Sequence, residues 1–327
     1  MTKLVTIFGG SGFVGRYIAR RLAKDGWRIR VACRTPEEAG FVRTYGVVGQ
    51  VEPVFCNVRD DDSVRNVTRG ADAVVNCVGV LAESGKNTFS AVQAEAPGRI
   101  ARIASAEGVS RMVQISAIGA DADASSGYAR TKALGEAEVT KHMPGAVILR
   151  PSVVFGPEDE FFNRFAGMSR MGPVLPVVGA DTRFQPVFVD DVAAAVVVAL
   201  DDHTVHGVYE LGGPDIATFR DLMKLMLGVV QRKRIILNIP FFAARGMAAG
   251  FGVAKALTLG LFTPPLTTDQ VRNLAVDNVV ADGARGFADL GLVPTPMSSV
   301  LPDYLWRFRP SGQYAAIKDS AKNLKQS

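Results

Sequence analysis

Tyr128 and Lys132 lie four residues apart in YARTK, a stretch whose pattern predicts a helix. Residues at that spacing share a helix face, so phenol and ammonium point the same way. A cation beside a phenol lowers its pKa and can hold a ribose, an arrangement suited to carbonyl reduction by hydride transfer. A third group is expected, a hydroxyl that polarises the carbonyl. Ser116 is available for it, with Ser125 and Ser126 nearby. Against that stands a plain reading: Y-x-x-x-K is a common accident, and Ser116 is a strand-end hydroxyl bonded to backbone.

The setting argues against accident. GGSGFVG, from Gly9 to Gly15, sits between an apolar run at Leu4–Phe8 and a helical pattern from Phe13 to Lys24. A lone glycine triplet is weak, but between strand and helix each glycine has a job. Gly9 allows the tight turn, Gly12 lets a pyrophosphate approach the backbone, and Gly15 lets the helix pack on the sheet. Helix N-terminal amides then face the pyrophosphate. At the end of the second strand an acid would bind a ribose 2′-hydroxyl. This chain has Arg34 instead, and no acid until Glu37. A cation there pairs with a 2′-phosphate and lies over adenine, which favours NADPH over NADH. Arg16 is a further phosphate candidate or else a solvent-facing helix residue. Asn57 and Val58, at the end of the third strand, could meet adenine. In NCVG, the small residues around Cys77, Val78 and Gly79 would let the backbone pass close to a ribose. For both segments the alternative is ordinary strand termination.

The elements that must carry these residues alternate. Strands are expected at Leu4–Phe8, Arg28–Cys33, Val51–Val58, Ala73–Val78, Met112–Ser116 and Ala146–Arg150. Helices are expected at Phe13–Lys24, Asp60–Arg69, Phe89–Glu107 (disturbed at Pro97) and Tyr128–Lys141. This rhythm predicts a Rossmann-type α/β fold, a doubly wound parallel sheet with helices on both faces. Residues 1–155 form the nucleotide-binding core. Residues 156–310 form a smaller mixed region that completes the fold over the cofactor cleft, and 311–327 a polar basic tail. The stretch 235–266 is mostly apolar, interrupted by Arg245 and Lys255, with runs too short to span a bilayer. It reads as core helices, a partner-protein face or an interfacial membrane contact.

With 327 residues and 48% hydrophobic content, the chain has ample core. The net charge of +5 suits an anionic ligand, a nucleic acid or an acidic membrane face, but is equally an ordinary imbalance. No aromatic-basic interleaving or zinc-finger spacing points to nucleic acid. Cys33, Cys56 and Cys77 lie in or beside buried strands and read as reduced thiols. The three histidines are scattered, so no metal site is expected. A core strand begins at Leu4, leaving no signal peptide in this sequence.

Seven segments in order carry a resemblance: GGSGFVG from Gly9, GADAVVNCVG ending at Gly79, QISAIGAD from Gln114, YARTK from Tyr128, LRPSVVFGPED from Leu149, FVDDVAAAV from Phe188 and GVYELGGP from Gly207. The chain resembles the extended, atypical branch of the short-chain dehydrogenase/reductase superfamily. Within it, the chain is similar to the NADPH-binding accessory subunits of respiratory complex I, in a bacterial form. That resemblance maps a phosphate loop onto Gly9, Ser11, Gly12, Phe13 and Val14, and a 2′-phosphate contact onto Arg34. It maps nicotinamide-side contacts onto Val78, Gly79, Ser116, Tyr128, Lys132, Pro151, Ser152, Val153 and Val154. It implies bound NADPH without demonstrated turnover. It also implies a place in the peripheral arm of NADH:quinone oxidoreductase near the membrane junction, on the cytoplasmic face of a bacterial inner membrane, with lipid headgroups within reach. Active extended relatives carry serine or threonine two positions beyond the first serine after strand five, where this chain has Ile118. Two other functions remain open. One is an active NADPH-dependent reductase or epimerase using Tyr128, Lys132 and Ser116 on a small or isoprenoid-like substrate. The other is a redox-sensing regulator.

Overall fold

A computed structural model of the chain describes residues 2–258 and 266–312. Its order is β1 (Leu4–Phe8), α1 (Phe13–Lys24), β2 (Arg28–Cys33), β3 (Val51–Phe55), α2 (Asp61–Thr68), β4 (Ala73–Asn76), α3 (Ala96–Ala106), β5 (Arg111–Ile115), α4 (Gly127–His142) and β6 (Val147–Pro151). Then come β7 (Val154–Phe155), α5 (Phe162–Met168), β8 (Val174–Val178), β9 (Arg183–Phe184), β10 (Val187–Phe188), α6 (Val189–Asp201) and β11 (Gly207–Leu211). The chain continues through β12 (Ala217–Thr218), α7 (Phe219–Val229), β13 (Ile235–Ile239), α8 (Phe241–Leu257), α9 (Thr268–Asn273) and α10 (Met297–Leu305).

Seven strands form a parallel sheet in the order β11-β6-β5-β4-β1-β2-β3. Alternate residues of β1 serve opposite faces, as a pleated strand requires. Val5 and Ile7 pack with Ile18 and Leu22 of α1 and Val192 and Val196 of α6. Leu4 and Phe8 pack with Val64 of α2, Ile100 of α3 and Val139 of α4. With helices on both faces, every residue of β1, β4 and β5 is buried. This is the doubly wound architecture that the repeating pattern predicts. Beyond residue 155, α6 and β11 return to this layer.

Two expected strands end early, for one reason. The third stops at Phe55 rather than Val58, and the fourth at Asn76 rather than Val78. Asn57 Oδ1 accepts the Arg59 amide at 3.2 Å, and Asn76 Oδ1 accepts the Val78 amide at 3.0 Å. Asparagine side chains that bond backbone two residues on turn the chain out of its ladder. The long helix expected from Phe89 is widened into a π-turn at Ser90–Glu95 before α3. Pro97 has no amide to return to the preceding turn. The Gln93 carbonyl faces α4 at Gly135, where a methyl group would collide with it.

The smaller region has its own core of Phe155, Phe162, Leu175, Phe219, Met223 and Leu301. Phe161 stacks on Phe219 at 5.5 Å and meets Phe165 edge-on at 5.8 Å. The stretch singled out as 235–266 opens as a strand, β13, paired in parallel with β8, and continues as α8. Residues 259–265, and the tail from 313, lie outside the described residues. No helix among the described residues is long and apolar enough to cross a membrane.

Candidate functional site

The turn from β1 into α1 is shaped for a close ligand. Gly9 has φ +74°, and a side chain there would meet the Cys77 backbone at 3.2 Å. A methyl group on Gly15 would collide with the Gly9 carbonyl. Gly12 is the N-cap of α1, provides no side-chain cap, and no acid follows in the first turn. The helix therefore offers uncapped amides and its positive end to an anion. A pyrophosphate fits that cradle. Phe13 and Val14 face the core instead, with Phe13 lying 3.4 Å from where a Gly156 side chain would stand.

At the end of β2, Arg34 is exposed on the first residue past the strand, and among the described residues it makes no ion pair. Ser11 reaches the same strand end. Burial pushes the Cys33 thiol up, and hydrogen bonding to the Thr35 backbone and the Ser11 side chain opposes it. Arg16 turns to protein. It donates to the carbonyls of Ser11 at 3.1 Å and Gly12 at 3.3 Å, lies 3.7 Å from Glu158, and stacks over Phe41. Val58 gives its carbonyl to Arg99 at 3.1 Å.

At the opposite end, Asn76 is buried between β4 and β5 and donates to Gln114 at 2.8 Å. The turn it makes carries Cys77, Val78 and Gly79 across the glycine loop. A side chain on Gly79 would stand 3.5 Å from Lys132 Nζ. Lys132 is buried on α4 and donates to the Ile115 carbonyl at 3.3 Å. Burial lowers its pKa to about 8, opposed by the negative charge of Glu136. Its ammonium lies 5.9 Å from the Tyr128 ring centre, and that ring meets Phe89 edge-on. The expected lowering of the Tyr128 phenol by the lysine is not what the structure gives: burial raises it to about 12, so it stays protonated at neutral pH. Shared placement on one helix face is what the four-residue spacing predicts.

Ser116 has another engagement. It is buried, and its hydroxyl donates to Glu136, which also takes a two-pronged ion pair from Arg150 at 3.0 and 2.6 Å. Arg150 in turn lies 3.5 Å from Glu210. Ser126 caps α4 by accepting the Ala129 amide at 3.3 Å. The position two beyond Ser116 presents Ile118, which cannot polarise a carbonyl. Ser152 donates to Asn278 at 2.6 Å, and the Val153 amide donates to the same side chain at 3.0 Å. The Pro151 carbonyl accepts from the Ile118 amide at 3.0 Å.

Four residues at this site escape a reading of the sequence: Glu136, Glu158, Asp269 and Asn278. Glu136 had a signal, since it lies four residues beyond Lys132 on the same helix. The others come from far along the chain, where spacing carries no information.

A family model described as the NAD dependent epimerase/dehydratase family matches residues 5–212. The chain belongs to that family. It is 35% identical over 317 residues to "NADH dehydrogenase [ubiquinone] 1 alpha subcomplex subunit 9, mitochondrial" of Arabidopsis thaliana, covering 94% of this chain and 79% of the relative. It is 30% identical over 239 residues to "Ceramide reductase" of Caulobacter vibrioides, covering 72% of this chain and 74% of that one. Among solved structures, Pal from Bacillus thuringiensis superposes with a TM-score of 0.71 at 14% identity, over 92% of this chain and 98% of the other. That likeness concerns the fold alone. Among the described residues no cluster of histidine, cysteine or acids could hold a metal ion, and the three cysteines are free thiols.

Proposed function

We propose that this chain is an accessory subunit of the peripheral arm of a respiratory NADH:quinone oxidoreductase, holding NADPH without turning it over. The observation that carries the reading is the Ser116–Glu136 contact, which turns the nearest hydroxyl away while Ile118 fills the expected position. Similarity over nearly the whole chain to a protein named as a complex I subunit supports the assembly. NADPH is a hydride donor, but in this reading the chain's own groups would only bind and orient it. The glycine cradle takes the pyrophosphate, Arg34 and Ser11 the 2′-phosphate, and Lys132 the nicotinamide ribose. Cys77, Val78 and Gly79 pass beneath the ribose, and Pro151 through Val154 line the nicotinamide side. Exposed apolar side chains on β13 and α8 support protein contact at the membrane junction, with lipid headgroups beside it, on the cytoplasmic face of a bacterial inner membrane.

Two experiments test this. The native chain should bind NADPH more tightly than NADH. Arg34→Asp should weaken NADPH by about 1.5–3 kcal/mol, the worth of a charge-assisted hydrogen bond, with little change for NADH. Equal affinity of the native chain for both nucleotides would overturn the cofactor assignment. Native gels of solubilised membranes should show the protein in a large respiratory assembly; its appearance only as a free monomer or dimer would overturn the accessory role.

A second reading has its own support. The Tyr128–Lys132 pair is intact, and one relative is named as a reductase of a lipid. An NADPH-dependent reductase of an apolar carbonyl compound would oxidise NADPH in the presence of long-chain ketones, and Tyr128→Phe would abolish that turnover.

A further inference from the structure

The nicotinamide half of the cleft is held from behind by one segment of the smaller region. Asp269, on α9, places its carboxylate against the start of α4. Its Oδ1 accepts the Gly127 amide at 2.7 Å, and its Oδ2 accepts the Ser126 hydroxyl at 2.8 Å and the Tyr128 amide at 3.2 Å. Arg272, one turn on, donates to the Ser125 carbonyl at 3.2 Å. A carboxylate at this end of α4 satisfies amides that the helix cannot pair itself, and complements its dipole. These amides fix the backbone that carries Tyr128. Nine residues further along, Asn278 holds Ser152 and Val153 on the opposite wall. The same segment is the seat of α8, whose Ala244 and Ala248 are buried against Val271.

We propose that the segment from Thr267 to Asn278 is a clasp: it positions both walls of the nicotinamide half and couples their occupancy to the ordering of α8. The proposal rests on the NADPH reading above. Asp269 and Asn278 are positioning residues, acting through α4 and through the β6–β7 turn. The adenine half is built from β1, β2, β3 and α1, and among the described residues none of the clasp's hydrogen bonds reaches those elements. A nucleotide that engages Tyr128 and Lys132 stabilises the wall that Asp269 holds. By reciprocity, whatever orders α8 strengthens the grip on that nucleotide.

The clasp separates two ligands. NADPH spans the whole cleft, whereas adenosine 2′,5′-bisphosphate fills only the adenine half. Calorimetric titration of the full chain should show Asp269→Asn and Asn278→Ala each weakening NADPH about tenfold, with adenosine 2′,5′-bisphosphate changed by less than about twofold. Hydrogen exchange in α8 should slow when NADPH binds the native chain. It should not slow with adenosine 2′,5′-bisphosphate, nor with NADPH on Asp269→Asn. An equal loss for both ligands would mean general destabilisation and would overturn the clasp. Unchanged NADPH affinity, or α8 exchange indifferent to NADPH, would overturn it too, while leaving the NADPH reading standing. If the native chain binds neither ligand, the NADPH reading fails and takes the clasp with it.

Discussion

Two five-residue strands of similar composition meet opposite fates. β1 is LVTIF and buries all five residues. β13 is IILNI and buries none fully, leaving Ile235 68% and Leu237 53% exposed. Apolar, β-branched content makes both of them strands. Neighbours decide the rest. β1 pairs on both edges, with β2 and β4, and has helices over both faces. Among the described residues β13 pairs only with β8. The difference continues into the following helices. Twelve-residue α1 buries Tyr17, Ile18 and Leu22, whereas among its described side chains α8 buries only Ala244 and Ala248 and leaves Phe242 79% exposed. A hydrophobic strand therefore predicts a sheet, but not a core. Where large apolar side chains stay exposed on adjoining elements, the surface is suited to another protein.

The sharpest way to break this comparison is to truncate matched residues. Ile7→Ala in β1 should cost about 2–5 kcal/mol, because it leaves a cavity between packed layers. Urea unfolding monitored by circular dichroism would measure it, and a cost below that range would mean that the β1 core is looser than its burial implies. Gly15→Ala should come next, at about 1–3 kcal/mol, since the added methyl meets the rigid Gly9 carbonyl. The same variant should lose nucleotide binding in the calorimeter.

Lys132 gives a smaller effect with a definite sign. Its folded pKa, about 8, is below the ordinary 10.5 because of burial. Between those values the unfolded chain holds a proton that the folded chain has released, so stability rises with pH across that window. Lys132→Met should remove that rise, seen by comparing unfolding midpoints of the two proteins from pH 8 to 10.5. Identical pH dependence would show that Lys132 is better hydrated than its position indicates. At the other extreme, Leu237→Ala in β13 should change the stability of the isolated chain by less than about 0.5 kcal/mol. If it costs as much as Ile7→Ala, β13 belongs to the core and the contrast between the strands collapses.

The same division runs through the site. The geometry of the glycine turn and of the β2 end was legible because it is local: Gly9, Gly12, Gly15 and Arg34 lie within 26 residues and belong to consecutive elements. The Tyr128–Lys132 pair was legible because helical geometry converts a spacing of four into a shared face. The engagement of Ser116 was not, because its partner Glu136 looks like any exposed helix acid until β5 and β6 bring Arg150 beside it. Arg16 had two readings in the sequence; the loop carbonyls and Glu158, 142 residues away, determine where it turns.

What the sequence determined by itself is periodic or short-ranged: the alternation of strands and helices, the parallel sheet, the glycine turn and the helix pair. Each follows from steric preference and burial acting over a few residues. The tertiary structure alone decided which apolar segments are covered, where Ser116 donates, and that Asp269 caps a helix begun 142 residues earlier. Those outcomes depend on which surfaces the folded chain brings within about 3 Å, the range over which a hydrogen bond acts. Chain spacing does not encode that proximity, since one flexible connection can bring its ends together in many ways.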